Sequence, residues 1–188
     1  MKNSRREFIK AGAIGAAVSA TGIPLASLAG EKDATPFQPL EILILGGTGF
    51  IGPHMVREAL RRGHSVTLFN RGRTNNTLFP DLETIKGDRN NGLDGLKDRQ
   101  WDAVIDNSGY RVKWATDSAE LLRDAADLYL YTSSIGVYYP YLRDSLLEDD
   151  ALNKEIPPED TLSEVQKLEY GYSVMKTLSE IEVVQIFG

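Results

Sequence analysis

Short apolar runs alternate with amphipathic stretches along this chain from residue 41 onward. The first run, Ile42 to Leu45, contains no polar position and predicts a strand buried on both faces. The amphipathic stretch from Phe50 to Arg62 predicts a helix directly after it. Further strands are predicted at residues 65–69, 82–86, 103–106 and 128–132, and further helices at residues 113–126 and 171–187.

This alternation predicts an α/β fold of the Rossmann type, a doubly wound parallel sheet of about five strands in the order 3-2-1-4-5. Residues 140–168 are acidic and contain Pro157-Pro158, so they are predicted to form a long loop. The sequence stops after the last predicted helix. A sixth strand, with which a full doubly wound sheet would continue, is therefore expected to be missing.

Three glycines at a spacing of three, Gly46, Gly49 and Gly52, separate the first strand from the first helix. Strand, glycine turn and helix is the arrangement that binds the pyrophosphate of a dinucleotide. Gly46 would allow the tight turn, Gly49 the close approach of phosphate, and Gly52 the packing of helix on strand. The phosphates would meet free N–H groups at the positive end of the helix dipole. An ordinary strand-to-helix turn is the alternative.

The end of the second strand carries Asn70, 21 residues after Gly49, followed by Arg71 and Arg73. A carboxylate at this point would bind the ribose 2′-hydroxyl of NAD. A neutral asparagine followed by two guanidinium groups instead suits the 2′-phosphate of NADP. The alternative is a solvated basic turn.

Polar residues also follow the remaining strands. Asp88 comes after the third strand, where an adenine would lie, and Asn107-Ser108 ends the fourth strand. Ser134 follows the fifth strand, and Tyr172 and Lys176 share one face of the last helix because they are four residues apart. Each could be a strand-end cap or a chance pair, but their order and spacing together indicate a dinucleotide-dependent enzyme.

These motifs resemble the extended branch of the short-chain dehydrogenase/reductase superfamily, the NAD-dependent epimerase/dehydratase group. The resemblance covers about residues 40–188. The segments that carry it are Gly46 to Gly52, Asn70-Arg71-Gly72, Gly87-Asp88-Arg89, Thr132-Ser133-Ser134 with Val137-Tyr138, and Tyr172 to Lys176.

The resemblance implies that Tyr172 is the catalytic tyrosine, Lys176 its lysine partner and Ser134 the catalytic serine. A nearby ammonium group favours the phenolate of a tyrosine that moves a proton. Contacts to an NAD(P) cofactor are implied for Gly46, Thr48, Gly49, Phe50, Ile51, Gly52, Asn70, Arg71, Arg73, Asp88, Asn107, Ser108 and Lys176.

The implied activity is hydride transfer between the cofactor, with NADP favoured, and a sugar nucleotide or another hydroxyl or carbonyl compound. Epimerase and dehydrogenase or reductase chemistry both remain open. The family's C-terminal substrate-binding part is expected to be missing here, so this polypeptide should bind dinucleotide better than it turns over substrate. The alternatives are a non-catalytic dinucleotide-binding protein and an inactive fragment.

The N-terminus resembles a bacterial twin-arginine export signal, with Arg5-Arg6 ahead of Phe8, Lys10 and an uncharged stretch. Residues 1–30 are predicted to be this signal peptide, residues 31–40 a linker, and residues 41–188 the NAD(P)-binding domain. The export machinery is then a partner and the periplasm the destination. If the signal is not cleaved, the protein would be tethered to the membrane.

The amino-acid composition bears on which partners and metal sites are expected. Residues 31–188 hold 17 Lys and Arg against 26 Asp and Glu, a formal net charge of −9, which argues against nucleic acid as a partner. Cysteine is absent and His54 and His64 are the only histidines, so no metal site is expected and both histidines are expected to be structural or exposed. A homo-oligomer remains open.

Overall fold

The computed structural model describes residues 38–141 and 145–188. The predicted signal peptide and residues 31–37 of the predicted linker lie outside the described residues. Five strands are present in the described part: β1 (Glu41–Leu45), β2 (Ser65–Asn70), β3 (Thr84–Lys86), β4 (Trp101–Asp106) and β5 (Ala126–Tyr131). Three α-helices accompany them: α1 (Gly52–Arg61), α2 (Val112–Leu122) and α3 (Glu164–Phe187).

The strands form one sheet in the order β3-β2-β1-β4-β5, as the sequence predicts, and every neighbouring pair is parallel. β1 lies at the centre, where Leu43 pairs with Thr67 of β2 and with Val104 of β4. Parallel strands share one carboxyl edge. The residues that follow β1, β2, β3, β4 and β5 therefore meet at the same side of the molecule.

Helices cover both faces of the sheet. Val56 and Ala59 of α1 pack on one face, against the buried side chains of β1 and β2. The other face is covered by α2 and α3 and contains most of the aromatic core, including Phe69 and Tyr129. Because β1 has helices on both sides, Ile42 to Leu45 are all buried, which explains their continuous apolar run.

Several predicted boundaries are wrong. β4 begins at Trp101 rather than at residue 103, and β5 runs over Ala126–Tyr131 rather than residues 128–132. The last helix begins at Glu164 rather than at residue 171, because the Ser163 side chain and Gln166 form a capping box that starts it within the predicted acidic loop. The helix predicted to reach residue 126 ends at Leu122, since Ala126 already pairs with Trp101 in the sheet.

The third strand is also shorter than predicted. Leu82 donates its backbone N–H to Phe79 O in a turn, so β3 begins only at Thr84. The end of the predicted linker, in contrast, already belongs to the domain, because Leu40 donates its N–H to Nδ1 of His64 at 3.0 Å. Within the described residues, no helix is both long and apolar enough to cross a membrane.

Candidate functional site

The glycine turn lies between the carboxyl end of β1 and the first turn of α1. Gly46 has φ +111°, and a Cβ there would collide with Oδ1 of Asn107. A Cβ at Gly52 would lie 2.7 Å from the Gly47 backbone, so the start of α1 packs directly on the turn. Gly49 differs, because a Cβ there would meet no atom within 4 Å. The turn therefore opens onto free space at Gly49, beside the N-terminus of a helix.

A cavity of about 590 Å³ extends from this turn along the carboxyl edge of the sheet. Every residue predicted to contact the cofactor lines it except Gly52, which is buried against the turn. Ser134, Tyr172 and Lys176 line the same cavity. Its size is that of a small-molecule or cofactor site, and it lies where open α/β sheets bind their ligands.

The loop after β2 forms one wall of the cavity. Arg71 and Arg73 are exposed and line it. Oδ1 of Asn70 accepts the N–H of Gly72 at 2.8 Å, so this side chain shapes the turn that presents the arginines. Nδ2 of Asn75 donates to the backbone oxygen of Thr48 at 3.0 Å and joins this loop to the glycine turn.

Asp88 lies in the cavity wall after β3. Its carboxylate accepts the backbone N–H of Asn90 at 2.9 Å and the Asn90 side-chain N–H at 2.6 Å. The backbone hydrogen bond, with smaller effects of the side-chain hydrogen bond and the nearby Arg71 and Arg73, lowers the pKa of Asp88, while desolvation opposes this shift. The carboxylate thus stays charged beside the two guanidinium groups.

A buried ion pair supports the end of β4, and the sequence analysis did not anticipate it. Arg89 is 6% exposed and Asp106 is fully buried, and their second hydrogen bond, Nη2 to Oδ2, measures 2.7 Å. Tyr129 also donates to Asp106 at 2.8 Å. Arg89 further donates to Oγ of Ser108 at 3.2 Å and so fixes a residue of the cavity wall. Asp106, a charged residue at the end of the apolar strand β4, was the one sign of this ion pair in the sequence. The spacing of residues did not identify Arg89 as its partner.

Asn107 packs beside the glycine turn, since its Oδ1 occupies the space that a Cβ at Gly46 would need. Its backbone N–H donates to the oxygen of Leu45 at 3.3 Å and continues the pairing of β4 with β1. Asn107 and Ser108 therefore line the cavity next to the turn, at the end of β4 where the sequence places them.

Ser134 and Tyr172 both lie close to Gly136. A Cβ at Gly136 would be 3.2 Å from Oγ of Ser134 and 3.3 Å from Cε1 of Tyr172. Oγ of Ser134 accepts the N–H of Gly136 at 3.1 Å, which leaves its own O–H proton available as a donor. Tyr172 is 42% exposed, so its side chain is accessible from outside the cavity.

Lys176 is 5% exposed and reaches the carboxyl ends of β4 and β5 from α3. Its Nζ donates to the backbone oxygen of Thr132 at 3.0 Å, to the hydroxyl of Tyr131 at 3.2 Å and to the backbone oxygen of Gly109 at 3.4 Å. Burial lowers the pKa of Lys176, and Arg89 adds to this effect, while Asp106 and Glu180 oppose it. Tyr131 is a second side chain that the sequence analysis missed.

The two histidines lie outside this constellation. His64 is held at the start of β2 by the N–H of Leu40, and His54 is exposed on α1. Among the described residues, no group of three or more His, Asp or Glu side chains is placed to hold a metal ion.

The sheet order, the glycine turn and the cavity at the carboxyl edge define a Rossmann-type nucleotide-binding domain. The model of the NAD dependent epimerase/dehydratase family matches residues 42–184, so this chain belongs to that family.

Three comparisons show what this chain is similar to in sequence or in fold. The chloroplast stem-loop binding protein of 41 kDa b from Arabidopsis thaliana is 33% identical over 132 residues, which are 60% of this chain and 34% of that protein. The enzyme WbmG of Bordetella bronchiseptica, solved in complex with NAD, superposes with a TM-score of 0.62 at 16% identity, over 81% of this chain and 51% of that one. The UDP-Glc/GlcNAc 4-epimerase of Campylobacter jejuni gives 0.63 at 17% identity, over 78% and 48%. The chain thus spans about a third of the plant protein and about half of each enzyme.

Proposed function

We propose that this chain is the cofactor-binding part of an NAD(P)-dependent oxidoreductase or epimerase that acts on a hydroxyl or carbonyl group. The observation that carries the proposal is that one cavity is lined both by the glycine turn and by Ser134, Tyr172 and Lys176. A domain that only binds a nucleotide and catalyses no reaction would need the glycine turn but not these three side chains. Membership of the epimerase/dehydratase family supports the same conclusion.

The residues present fit a dinucleotide. The space at Gly49 leaves room for phosphate oxygens, and α1 begins directly behind the turn with its positive dipole end. Arg71 and Arg73 add positive charge near the adenosine end of the proposed site. When bound, the cofactor would accept or deliver a hydride.

Ser134 and Tyr172 would bind the reacting oxygen of the substrate, and Tyr172 would exchange a proton with it. The O–H of Ser134 is free to donate to this oxygen, which gains negative charge as a ketone becomes an alcohol. Tyr172 would take or give the proton at the same oxygen, and its exposure allows a substrate to reach it. The Lys176 ammonium, held on the same face of α3, would favour the phenolate and donate a hydrogen bond to the nicotinamide ribose.

The proposed substrate is a sugar nucleotide, by similarity to the Campylobacter UDP-Glc/GlcNAc 4-epimerase. NADP is proposed as the preferred cofactor, because Asn70 offers no carboxylate to a ribose 2′-hydroxyl while two guanidinium groups follow it. Release of reduced cofactor during the reaction would indicate a dehydrogenase, and its retention an epimerase.

The test is turnover of UDP-glucose and UDP-N-acetylglucosamine by purified protein supplied with NADP or NAD, together with cofactor binding measured separately. Tyr172→Phe is expected to abolish turnover while cofactor binding persists, because only the proton-carrying hydroxyl is removed. Tyr170→Phe is the matched control, since its ring packs edge-on against Tyr139, outside the cavity. Turnover that survives Tyr172→Phe would refute the assignment of the tyrosine.

A second candidate is binding of a nucleic-acid stem-loop, which similarity to the Arabidopsis protein favours. The net charge of −9 over residues 31–188 opposes it, because such binding depends on neutralising phosphates. Fluorescence polarisation with a labelled RNA stem-loop at two salt concentrations distinguishes the candidates. We expect that the protein does not bind the RNA tightly at either salt concentration. Tight binding that weakens steeply as the salt concentration rises would favour the second candidate.

We also propose export through the twin-arginine pathway, on the pattern of residues 4–10. Cargo of this pathway is expected to fold before it crosses the membrane. Such an order suits a domain that has to acquire its nucleotide in the cytoplasm.

A further inference from the structure

The Lys176 ammonium is fully satisfied by this chain's own atoms. An ammonium group has three N–H donors, and the acceptors here are the backbone oxygens of Thr132 and Gly109 and the hydroxyl of Tyr131. Two of these acceptors are backbone atoms at strand ends, which any sequence would provide. The third depends on the identity of one side chain.

Tyr131 contacts Lys176 in two ways. Its hydroxyl accepts from Nζ at 3.2 Å and itself donates to the oxygen of Gly109 at 3.0 Å. Its ring centroid lies 4.7 Å from the same Nζ, within range of a cation–π interaction. The ring is held against Gly109, where a Cβ would come within 2.6 Å of Cε2. Tyr131 is therefore in close contact with the chain that follows β4, both through its ring and through its hydroxyl.

We propose that Tyr131 is a positioning residue, which holds the Lys176 ammonium at the carboxyl edge of the sheet and keeps it charged. The relevance to catalysis rests on the proposed function of Ser134, Tyr172 and Lys176. The holding of Lys176 by Tyr131 stands on geometry alone. The shortest of the three hydrogen bonds goes to Thr132 and the longest to Gly109. A ribose hydroxyl could therefore replace the Gly109 contact while Tyr131 and Thr132 keep the ammonium in place.

The hydroxyl of Tyr131 is suited to this task throughout the neutral range. Burial raises the pKa of Tyr131 to about 12, so the hydroxyl stays protonated and can donate to Gly109 while it accepts from Lys176. Loss of this acceptor would leave the buried ammonium with less compensation for its desolvation. The titratable and charged groups that face Lys176 from the surrounding elements are Arg89, Asp106, Tyr110 and Tyr131, with Tyr172 and Glu180 on its own helix.

The decisive variant is Tyr131→Phe, which keeps the ring and removes only the hydroxyl. The protein is labelled with ¹³C at the lysine ε-carbons. The Lys176 signal is identified as the one that is absent from the spectrum of Lys176→Arg. NMR then follows the titration of this signal without cofactor. We expect its midpoint to fall by about one pH unit, because a hydrogen bond to the charged form is lost. NADPH affinity at neutral pH, measured by fluorescence, is expected to weaken several-fold in the same variant.

Tyr129→Phe is the matched control. It also loses a buried hydroxyl from β5, but that hydroxyl donates to Asp106 rather than accepting from Lys176. An unchanged midpoint in Tyr131→Phe, or an equal shift in Tyr129→Phe, would overturn the proposal. A shift confined to Tyr131→Phe in a protein that binds no NADPH would support the positioning role and refute the proposed function, so the two can fail separately.

Discussion

At the scale of single residues, the side chains that follow β2 are expected to set the cofactor preference. Arg71→Ala should weaken NADPH binding about tenfold and leave NADH binding unchanged, because a charge-assisted hydrogen bond to the 2′-phosphate is lost. Calorimetric titration of both cofactors measures this. Arg123→Ala is the control, an exposed arginine at the end of α2 that does not line the cavity. Tighter binding of NADH than of NADPH by the unaltered protein would contradict the preference.

The residues of the candidate site differ in how far the sequence could reveal them. Ser134, Tyr172 and Lys176 were predicted because they match the motif of the family that the sequence resembles, and the structure brings all three to one cavity. Arg89 and Tyr131 were missed because their roles depend on partners far away in the chain, Asp106 and Lys176. Such pairs follow from the register of the strands rather than from any local pattern.

At the scale of elements, the Arg89–Asp106 pair joins the loop after β3 to β4, α2 and β5. Arg89 also donates to Oγ of Ser118 at 2.9 Å and to the backbone oxygen of Trp114 at 2.6 Å, so one guanidinium group ties several elements together. Arg89→Met should lower the free energy of unfolding by about 3–5 kcal/mol, because Asp106 is left charged and buried.

Urea denaturation measures this loss, and Lys113→Met provides the comparison. Lys113 pairs with Asp117 on the exposed side of α2, so its removal should cost less than about 1 kcal/mol. If the free energy of unfolding falls by less than about 1 kcal/mol in both variants, the buried Arg89–Asp106 pair does not stabilise the carboxyl edge of the sheet.

The elements themselves were mostly predictable. The short apolar runs identified all five strands, and the alternation with helices gave their order, because parallel crossovers restrict the topology. The start of α3 was missed because prolines and acidic residues obscured the Ser163–Gln166 capping box. The end of α2 was misplaced because Ala126 suits a helix by propensity, and only pairing with Trp101 makes it a strand residue.

At the scale of the whole molecule, the proposed export would depend on residues outside the described part of the chain. Replacing Arg5 and Arg6 by Lys is expected to leave the protein in the cytoplasm, because the twin-arginine pathway reads this pair. Cell fractionation with immunodetection measures the outcome. The control replaces Arg61 and Arg62, an adjacent pair at the end of α1 that binds Glu58, by Lys and should leave export unchanged. Export that persists without Arg5 and Arg6 would remove the proposal.

The central claim is that the glycine turn and its cavity bind a dinucleotide, and Gly49→Ala tests it most directly. A Cβ at Gly49 meets no protein atom within 4 Å, so the melting temperature should not change, whereas the methyl group would occupy the space proposed for phosphate. Gly171→Ala on α3 is the matched control, since its Cβ also meets no atom within 4 Å. Calorimetric titration with NADPH should show binding by the unaltered protein and by Gly171→Ala, and binding weakened at least about tenfold in Gly49→Ala. Equal affinities in all three proteins, or no binding by the unaltered protein, would contradict the account.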